Sequence, residues 1–189
     1  MTRHWFTSDH HFGHATIIKY THRPFSSVQE MNETLIYRWN ERVSPTDIVY
    51  HLGDLTCIKG KKDRLKTLNS VLPRLNGHIC FIRGNHDRIE THERFMWSDN
   101  LREIRVPYGD KKEQLIVLCH YAMRVWNKSH YGSWMLWGHS HGSLKEDPHA
   151  LSFDVGVDTN NYYPYSFEEV QERMSTKVFQ PVDHHGREP

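Results

Sequence analysis

Hydrophobic positions change their rhythm along this chain. In the first half, three short apolar runs, His4–Ser8, Ile48–Leu52 and Ile79–Ile82, have the length of strands. Between the first two, Val28, Met31, Leu35, Trp39 and Val43 keep close to helical spacing and predict a helix over 28–43. Ser26 or Ser27 would cap it, and Ser44-Pro45-Thr46 would end it. A lysine-rich helix is expected over 61–72, with Leu65, Leu68 and Leu72 turned inward and Pro73 as its stop. Residues 89–97 are polar and read as a short helix or loop.

The second half is mostly strand. Ile104-Arg105-Val106 and Leu115–Leu118 flank the turn-like Tyr108-Gly109-Asp110 and predict a hairpin. Trp134–Trp137 and Ser152–Val157 add two further strands, and Ser166 with Glu169 has the capping-box spacing of a last short helix. Alternating strand and helix implies parallel pairing, followed by a strand-rich half. The expected fold is α/β, a four-layer sandwich of two mixed β-sheets flanked by helices. A single domain over 1–180 is expected, with a frayed tail over 181–189.

Composition narrows the function classes. The chain has 189 residues, 37% hydrophobic and 25% charged, which suits one globular domain. A formal net charge of +1 argues against a polymer-coating basic protein, although it leaves room for a local basic cleft. No apolar run is long enough to span a bilayer, and no leader is read at Met1. Cys57, Cys80 and Cys119 lack metal-type spacing; the odd count fits a reducing, cytoplasmic location, and Cys80 and Cys119 read as inert buried thiols. Histidine is the outlier, at 16 residues. His4, His22, His92 and the pair His184–His185 read as scattered surface imidazoles.

Six other histidines belong to a set of five short polar blocks: Asp9-His10-His11, Gly53-Asp54, Gly84-Asn85-His86-Asp87, His120 and Gly138-His139-Ser140-His141. Each follows a strand-like run. In an open α/β sheet, functional groups gather beyond the carboxyl ends of the strands, so these blocks can converge. Oxygen and imidazole without thiolate suit divalent cations of intermediate hardness.

The order D-x-H, G-D, G-N-H-D, H, G-H-x-H resembles the calcineurin-like metallophosphoesterase superfamily. The opening Thr7-Ser8-Asp9-His10-His11-Phe12-Gly13-His14 and the later Gly156-Val157-Asp158 are similar to its small bacterial and phage-type members. The resemblance runs from about Thr7 to Asp158. It implies that Asp9, His11 and His141 hold one metal, that Asn85, His120 and His139 hold a second, and that Asp54 bridges both. Two divalent ions are implied, Mn²⁺ foremost, with Fe²⁺, Zn²⁺ or Ni²⁺ as other occupants. Two aspartates against two dications would leave the site net positive and attractive to phosphate.

His86 would face the substrate and protonate the leaving oxygen, opposite a metal-bridging hydroxide attacking phosphorus in line. Asp87 would either orient His86 or satisfy backbone groups in its turn. The chain departs from the phosphoprotein phosphatases at Gly53-Asp54-Leu55-Thr56-Cys57-Ile58-Lys59-Gly60, which lacks their second aspartate and their arginine. That argues against a Ser/Thr protein phosphatase.

For substrate, His14 is placed at the rim, Arg23 and Arg124 as phosphate clamps, and Tyr121 with Trp126, Tyr131 and Trp134 as an aromatic wall, Trp134 reading better as core. The expected activity is hydrolysis of small phosphodiesters or phosphomonoesters, nucleotide-derived diesters leading. A nuclease on DNA or RNA is the first alternative, weakened by the near-neutral charge. A non-catalytic scaffold is the second, weakened by the full ligand set.

Overall fold

The computed structural model describes residues 2–88, 92–109 and 112–183. Its first sheet has the order β4-β3-β2-β1-β9. Strands β1 (His4–Thr7), β2 (Ile48–His51), β3 (His78–Ile82) and β4 (Phe95–Asp99) run parallel, and β9 (Tyr165–Ser166) closes the edge antiparallel to β1. The second sheet has the order β5-β6-β7-β8. In it β5 (Leu101–Tyr108) and β6 (Lys112–Cys119) form an antiparallel hairpin, while β7 (Trp134–Trp137) and β8 (Ser152–Asp154) run parallel to β6. Both sheets are therefore mixed.

A one-turn helix α1 (Ile17–Tyr20) follows the first strand. Period-two alternation assigns the strand side chains to layers. Trp5, Val49, Ile79 and Phe81 face one way and pack with Met31, Leu35 and Trp39 of α2 (Val28–Arg42) and Leu68 and Val71 of α3 (Lys61–Val71). Their neighbours Phe6, Tyr50, Cys80 and Ile82 face the other way. They meet Ile116, Leu118, Trp134, Leu136 and Phe153 of the second sheet, so this cluster is the seam between the sheets. Phe167, Val170 and Met174 of α4 (Phe167–Ser175) join the same seam. The outer face of the second sheet, with Val117, Cys119, Met135 and Trp137, is covered by Trp126, Met123 and Ala150 from loops. The fourth layer is thus loop where the first is helix.

Most expected elements are present. Ser27 caps α2 by accepting from the Glu30 amide, and α4 has the full reciprocal Ser166–Glu169 capping box. Three details differ. Part of 89–97 lies outside the described residues, but its end begins strand β4, an edge strand in which Phe95 and Trp97 are half-buried and Met96 is exposed, an all-apolar run with no polar alternation in sequence. In α3 Leu65 is exposed, and Arg64 is buried instead, donating to the Ile58 and Lys59 carbonyls of the preceding turn. Pro73 lies within a 3-10 turn, Leu72–Arg74, that continues α3 beyond Val71.

The tip of the expected hairpin at Asp110, the histidines His184 and His185, and 184–189 of the tail lie outside the described residues. Asp183, at the start of that tail, accepts from the Ser129 hydroxyl at 3.0 Å. No helix among the described residues is long and apolar enough to cross a membrane.

Candidate metal centre

Parallel strands β1, β2 and β3 end at one edge of the first sheet, and β6 and β7 end beside them. The turns after β1, β2 and β7 pass through residues with positive φ. Asp9 (59°), His11 (53°), Asp54 (54°), His139 (70°) and His141 (49°) all occupy the left-handed region. For a non-glycine residue that conformation costs roughly 1–2 kcal/mol. Such strain persists only where surrounding bonds over-determine it. Here they do: the Asp9 amide donates to the Gly53 carbonyl at 2.9 Å, the His11 amide to the Asp54 carbonyl at 3.0 Å, and the His139 amide to both Asp9 carboxylate oxygens at 2.9 and 3.1 Å.

Close approach explains two of the motif glycines. A Cβ on Gly138 would stand 2.5 Å from Asp9 Oδ2, and one on Gly84 would collide with the Asp54 carboxylate. Any larger residue would displace a carboxylate.

These turns gather two clusters. Ligating atoms of Asp9, His11 and His141 lie within 4.8 Å of one another, and so do those of Asp54, His120 and His139. Asp54 Oδ2 stands between them, 3.6 Å from His11 Nε2 and 3.5 Å from His120 Nε2. Asn85 Oδ1 is 3.0 Å from His120 Nε2, which brings it to the second cluster.

Outer contacts fix the imidazoles. His120 Nδ1 donates to the Leu52 carbonyl at 2.7 Å, leaving Nε2 aimed at Asp54 and Asn85. His141 Nδ1 is 2.6 Å from Asp158 Oδ2, leaving Nε2 3.9 Å from Asp9. Asp158 is itself gripped by Arg23, whose Nε and terminal nitrogen donate to its two oxygens at 2.8 Å each. The same guanidinium donates to the Asp9 and His10 carbonyls at 2.7 and 3.0 Å.

Whether the site fits cations is decided by an unsatisfied atom. His11 Nε2 is buried, has no hydrogen-bond partner, and faces a carboxylate beyond hydrogen-bond reach. Buried polar atoms are rarely left so. Burial, outweighing the Asp54 charge, holds His11 down to about 2, so its imidazole is neutral and its lone pair is free. Burial likewise raises Asp9 to about 7. Burial works against Asp54 too, but its hydrogen bond to His120 prevails; the pair pulls the carboxyl low and the imidazole high. A carboxylate set with neutral and displaceable imidazole nitrogens is one that divalent cations complete.

The other site expectations divide. His86 is exposed, its ring 5.7 Å from that of His11, and its amide donates to Asp54 Oδ1 at 3.0 Å. His14 Nδ1 is 3.3 Å from His11 Nδ1, and Tyr121 packs edge-on against His139 with centroids 4.8 Å apart. Asp87 accepts from the amides of Asp54, Leu55 and Gly84 at 2.6, 3.1 and 2.9 Å. Of its two expected roles, the geometry gives it the backbone one.

Two arginines are corrections. Arg23 is buried with its donors committed to Asp158 and backbone, so it holds the first motif in place and offers nothing to a phosphate. Arg124 is exposed on a groove shared with Trp126, Leu144 and Phe179, whose lining includes no candidate ligand. The aromatic wall also dissolves: Trp126 and Trp134 are core, Tyr131 is on the surface elsewhere, and Tyr121 alone borders the clusters.

Sequence reading missed Asp158 as the His141 partner, although Gly156-Val157-Asp158 was visible as a motif. It also missed Arg83, which lines a cleft of about 350 Å³ with Asn85, Asn100, His120 and Tyr121 and whose buried Nε has no partner.

Comparison with known proteins gives a consistent result. The family model described as calcineurin-like phosphoesterase matches residues 2–173. An uncharacterized protein of Methanocaldococcus jannaschii is 36% identical over 173 residues, covering 89% of each chain. The Gene 66 protein of Mycobacterium phage L5 is 28% identical over 184 residues, covering 84% of this chain and 87% of the phage protein. A protein of unknown function from Aquifex aeolicus has the same fold, with TM-score 0.67 at 20% identity, covering 92% of this chain and all of that one.

Proposed function

Because the chain belongs to the calcineurin-like phosphoesterase family, whose members hydrolyse phosphate esters with bound metal, we propose a specific division of labour at its site. Asp9, His11 and His141 hold one divalent cation; Asn85, His120 and His139 hold the other; Asp54 bridges them. The observation that carries this reading is the Asp54 carboxylate, whose Oδ2 is nearly equidistant from His11 and His120. Bound there, two cations would neutralise developing charge on the phosphoryl group and acidify a water. The oxygen and imidazole donor set favours Mn²⁺, with Fe²⁺, Zn²⁺ and Ni²⁺ as rivals.

The chain's own groups do the rest. His86 protonates the leaving oxygen: it is exposed, and the hydrogen bond its amide donates to Asp54 Oδ1 fixes its backbone against the centre. Arg23 and Asp158 keep His141 aimed at the centre. Arg83, at the cleft beside Asn85 and His120, supplies a charge for the phosphate, and Tyr121 offers an aromatic edge to the leaving group. His14 stands at the opposite rim, beside His11.

At about 350 Å³ the cleft is near the lower end of the ~300–1,000 Å³ of ligand sites. That size favours small phosphodiesters, nucleotide-derived ones first, over a polymer laid along a groove. Three free thiols support a reducing, cytoplasmic setting.

The test is hydrolysis of bis- and mono-p-nitrophenyl phosphate by metal-stripped protein before and after Mn²⁺. Activity restored by Mn²⁺, with the diester preferred, supports the reading. Inactivity with metal bound would contradict it, and a monoester preference would overturn the substrate class.

A further inference from the structure

A third group of metal-ligating atoms lies beside the two clusters. One atom each from His11, His14 and Cys57 lies within 4.8 Å of the others. We propose that these three residues form a separate cation site with two nitrogens and one sulfur, built for a thiolate-preferring divalent cation, Zn²⁺ foremost. It goes beyond the phosphoesterase reading, from which it borrows His11 and the rim residue His14.

The chain builds this site with care. Two loops, 11–14 after β1 and 54–58 after β2, are laced together: the His11 amide donates to the Asp54 carbonyl at 3.0 Å, the Phe12 amide to the Leu55 carbonyl at 2.9 Å, and the Thr56 hydroxyl to the Phe12 carbonyl at 2.8 Å. Gly13, at φ 77°, lets them close, since a Cβ there would stand 2.7 Å from Ile58 Cδ1. That lacing brings Cys57 to the two histidines.

The histidines are oriented for it as well. His14 Nε2 is held by the Thr16 hydroxyl at 2.7 Å, which turns its Nδ1 toward His11 Nδ1 at 3.3 Å. Two facing imidazole nitrogens can share one proton or, equally, one cation. His11 presents its Nε2 edge to Asp54 and its Nδ1 edge to His14, so with both sites filled the ring N–H proton leaves to solvent and His11 bridges them as an imidazolate. Three protein ligands with one sulfur leave a position open, the pattern of zinc sites that are not purely structural. Cys57 is half-buried, so a cation has access from solvent.

Sulfur makes the site separately readable, because neither of the other clusters contains one. Co²⁺ is the probe, added to protein already saturated with Mn²⁺. The expected result is a near-ultraviolet thiolate-to-cobalt charge-transfer band in the native chain. Cys57→Ser should lose the band and one equivalent of bound cobalt, with Mn²⁺-dependent hydrolysis retained. Cys80 and Cys119 are buried and belong to no such group among the described residues, so Cys80→Ser should keep the band. No band at saturating Co²⁺, or an equal band in Cys57→Ser, would overturn the site while leaving the two-metal reading untouched.

Discussion

Asp54 Oδ2 lies 3.6 Å from the buried, partnerless Nε2 of His11. The same oxygen lies 3.5 Å from His120 Nε2 on the other side, so one carboxylate serves both clusters. Asp54→Asn keeps the shape and removes the charge. Loss of an outer contact to a metal ligand typically costs about 10–100-fold in affinity, and loss of the bridge should cost more. Elemental analysis after dialysis should show metal and activity falling together. Retention of both metals at native affinity would remove Asp54 from the bridging position.

His86 is expected to separate binding from rate. His86→Ala should keep metal content and lose roughly 10²–10⁴-fold in kcat, the usual worth of a general acid. The loss should be largest for alkyl leaving groups and shrink for p-nitrophenolate, which needs little protonation. A uniform loss across leaving groups would assign His86 to positioning instead.

Arg23 and Asp158 make a buried fork that closes behind His141. Removing one partner of such a pair strands the other and costs about 3–5 kcal/mol. Asp158→Asn should therefore lower the thermal midpoint and also weaken metal at the first cluster, by roughly 10–100-fold. Differential scanning calorimetry with and without Mn²⁺ reads both effects. An unchanged midpoint would show that the fork carries no stability.

Proton release should accompany metal binding. Burial raises Asp9 to about 7 in the metal-free chain, and the Asp54 hydrogen bond raises His120. Both must be deprotonated to ligate, so affinity should climb as pH rises through about 7, where Asp9 ionises, and on toward about 9, where His120 loses its proton. The same shift has a stability consequence. A carboxyl raised on folding binds protons more tightly in the native state, so its contribution is full below the unfolded value of 3.8 and declines as pH rises toward about 7. That Asp9 contribution alone should fall between those values, against the opposite trend of buried neutral imidazoles such as His11 and His51, whose contribution grows as pH rises toward 6.5. Calorimetric titration in two buffers of different ionisation enthalpy measures the released protons; none released would contradict the assignment.

Much of this was legible in the sequence, for reasons that particular residues make plain. α2 was readable because Met31, Leu35 and Trp39 bury one stripe, and α4 because Ser166 and Glu169 sit three apart. The metal blocks were readable because each follows an apolar strand run. Strand β4 was not, because an edge strand is only half covered and its Phe95-Met96-Trp97 run gives no alternating signal. Leu65 in α3 reads as inward and is exposed, and Arg64 takes the buried position because a buried arginine that donates to loop carbonyls looks like surface in one dimension.

Arg23 was misread for the same reason. Its partner Asp158 lies 135 positions away, and nothing local distinguishes a locked guanidinium from a free one. Nor does sequence reveal that five of the candidate ligands adopt positive φ, since Asp and His tolerate that region only where the surrounding hydrogen bonds enforce it.

The most direct test of the Asp54-bridged centre is a titration of metal-stripped protein with Mn²⁺, following bis-p-nitrophenyl phosphate hydrolysis against manganese bound per chain. The account predicts little rate at the first equivalent and a steep rise as the second binds. Full rate at one equivalent, or no rate with both bound, would contradict it.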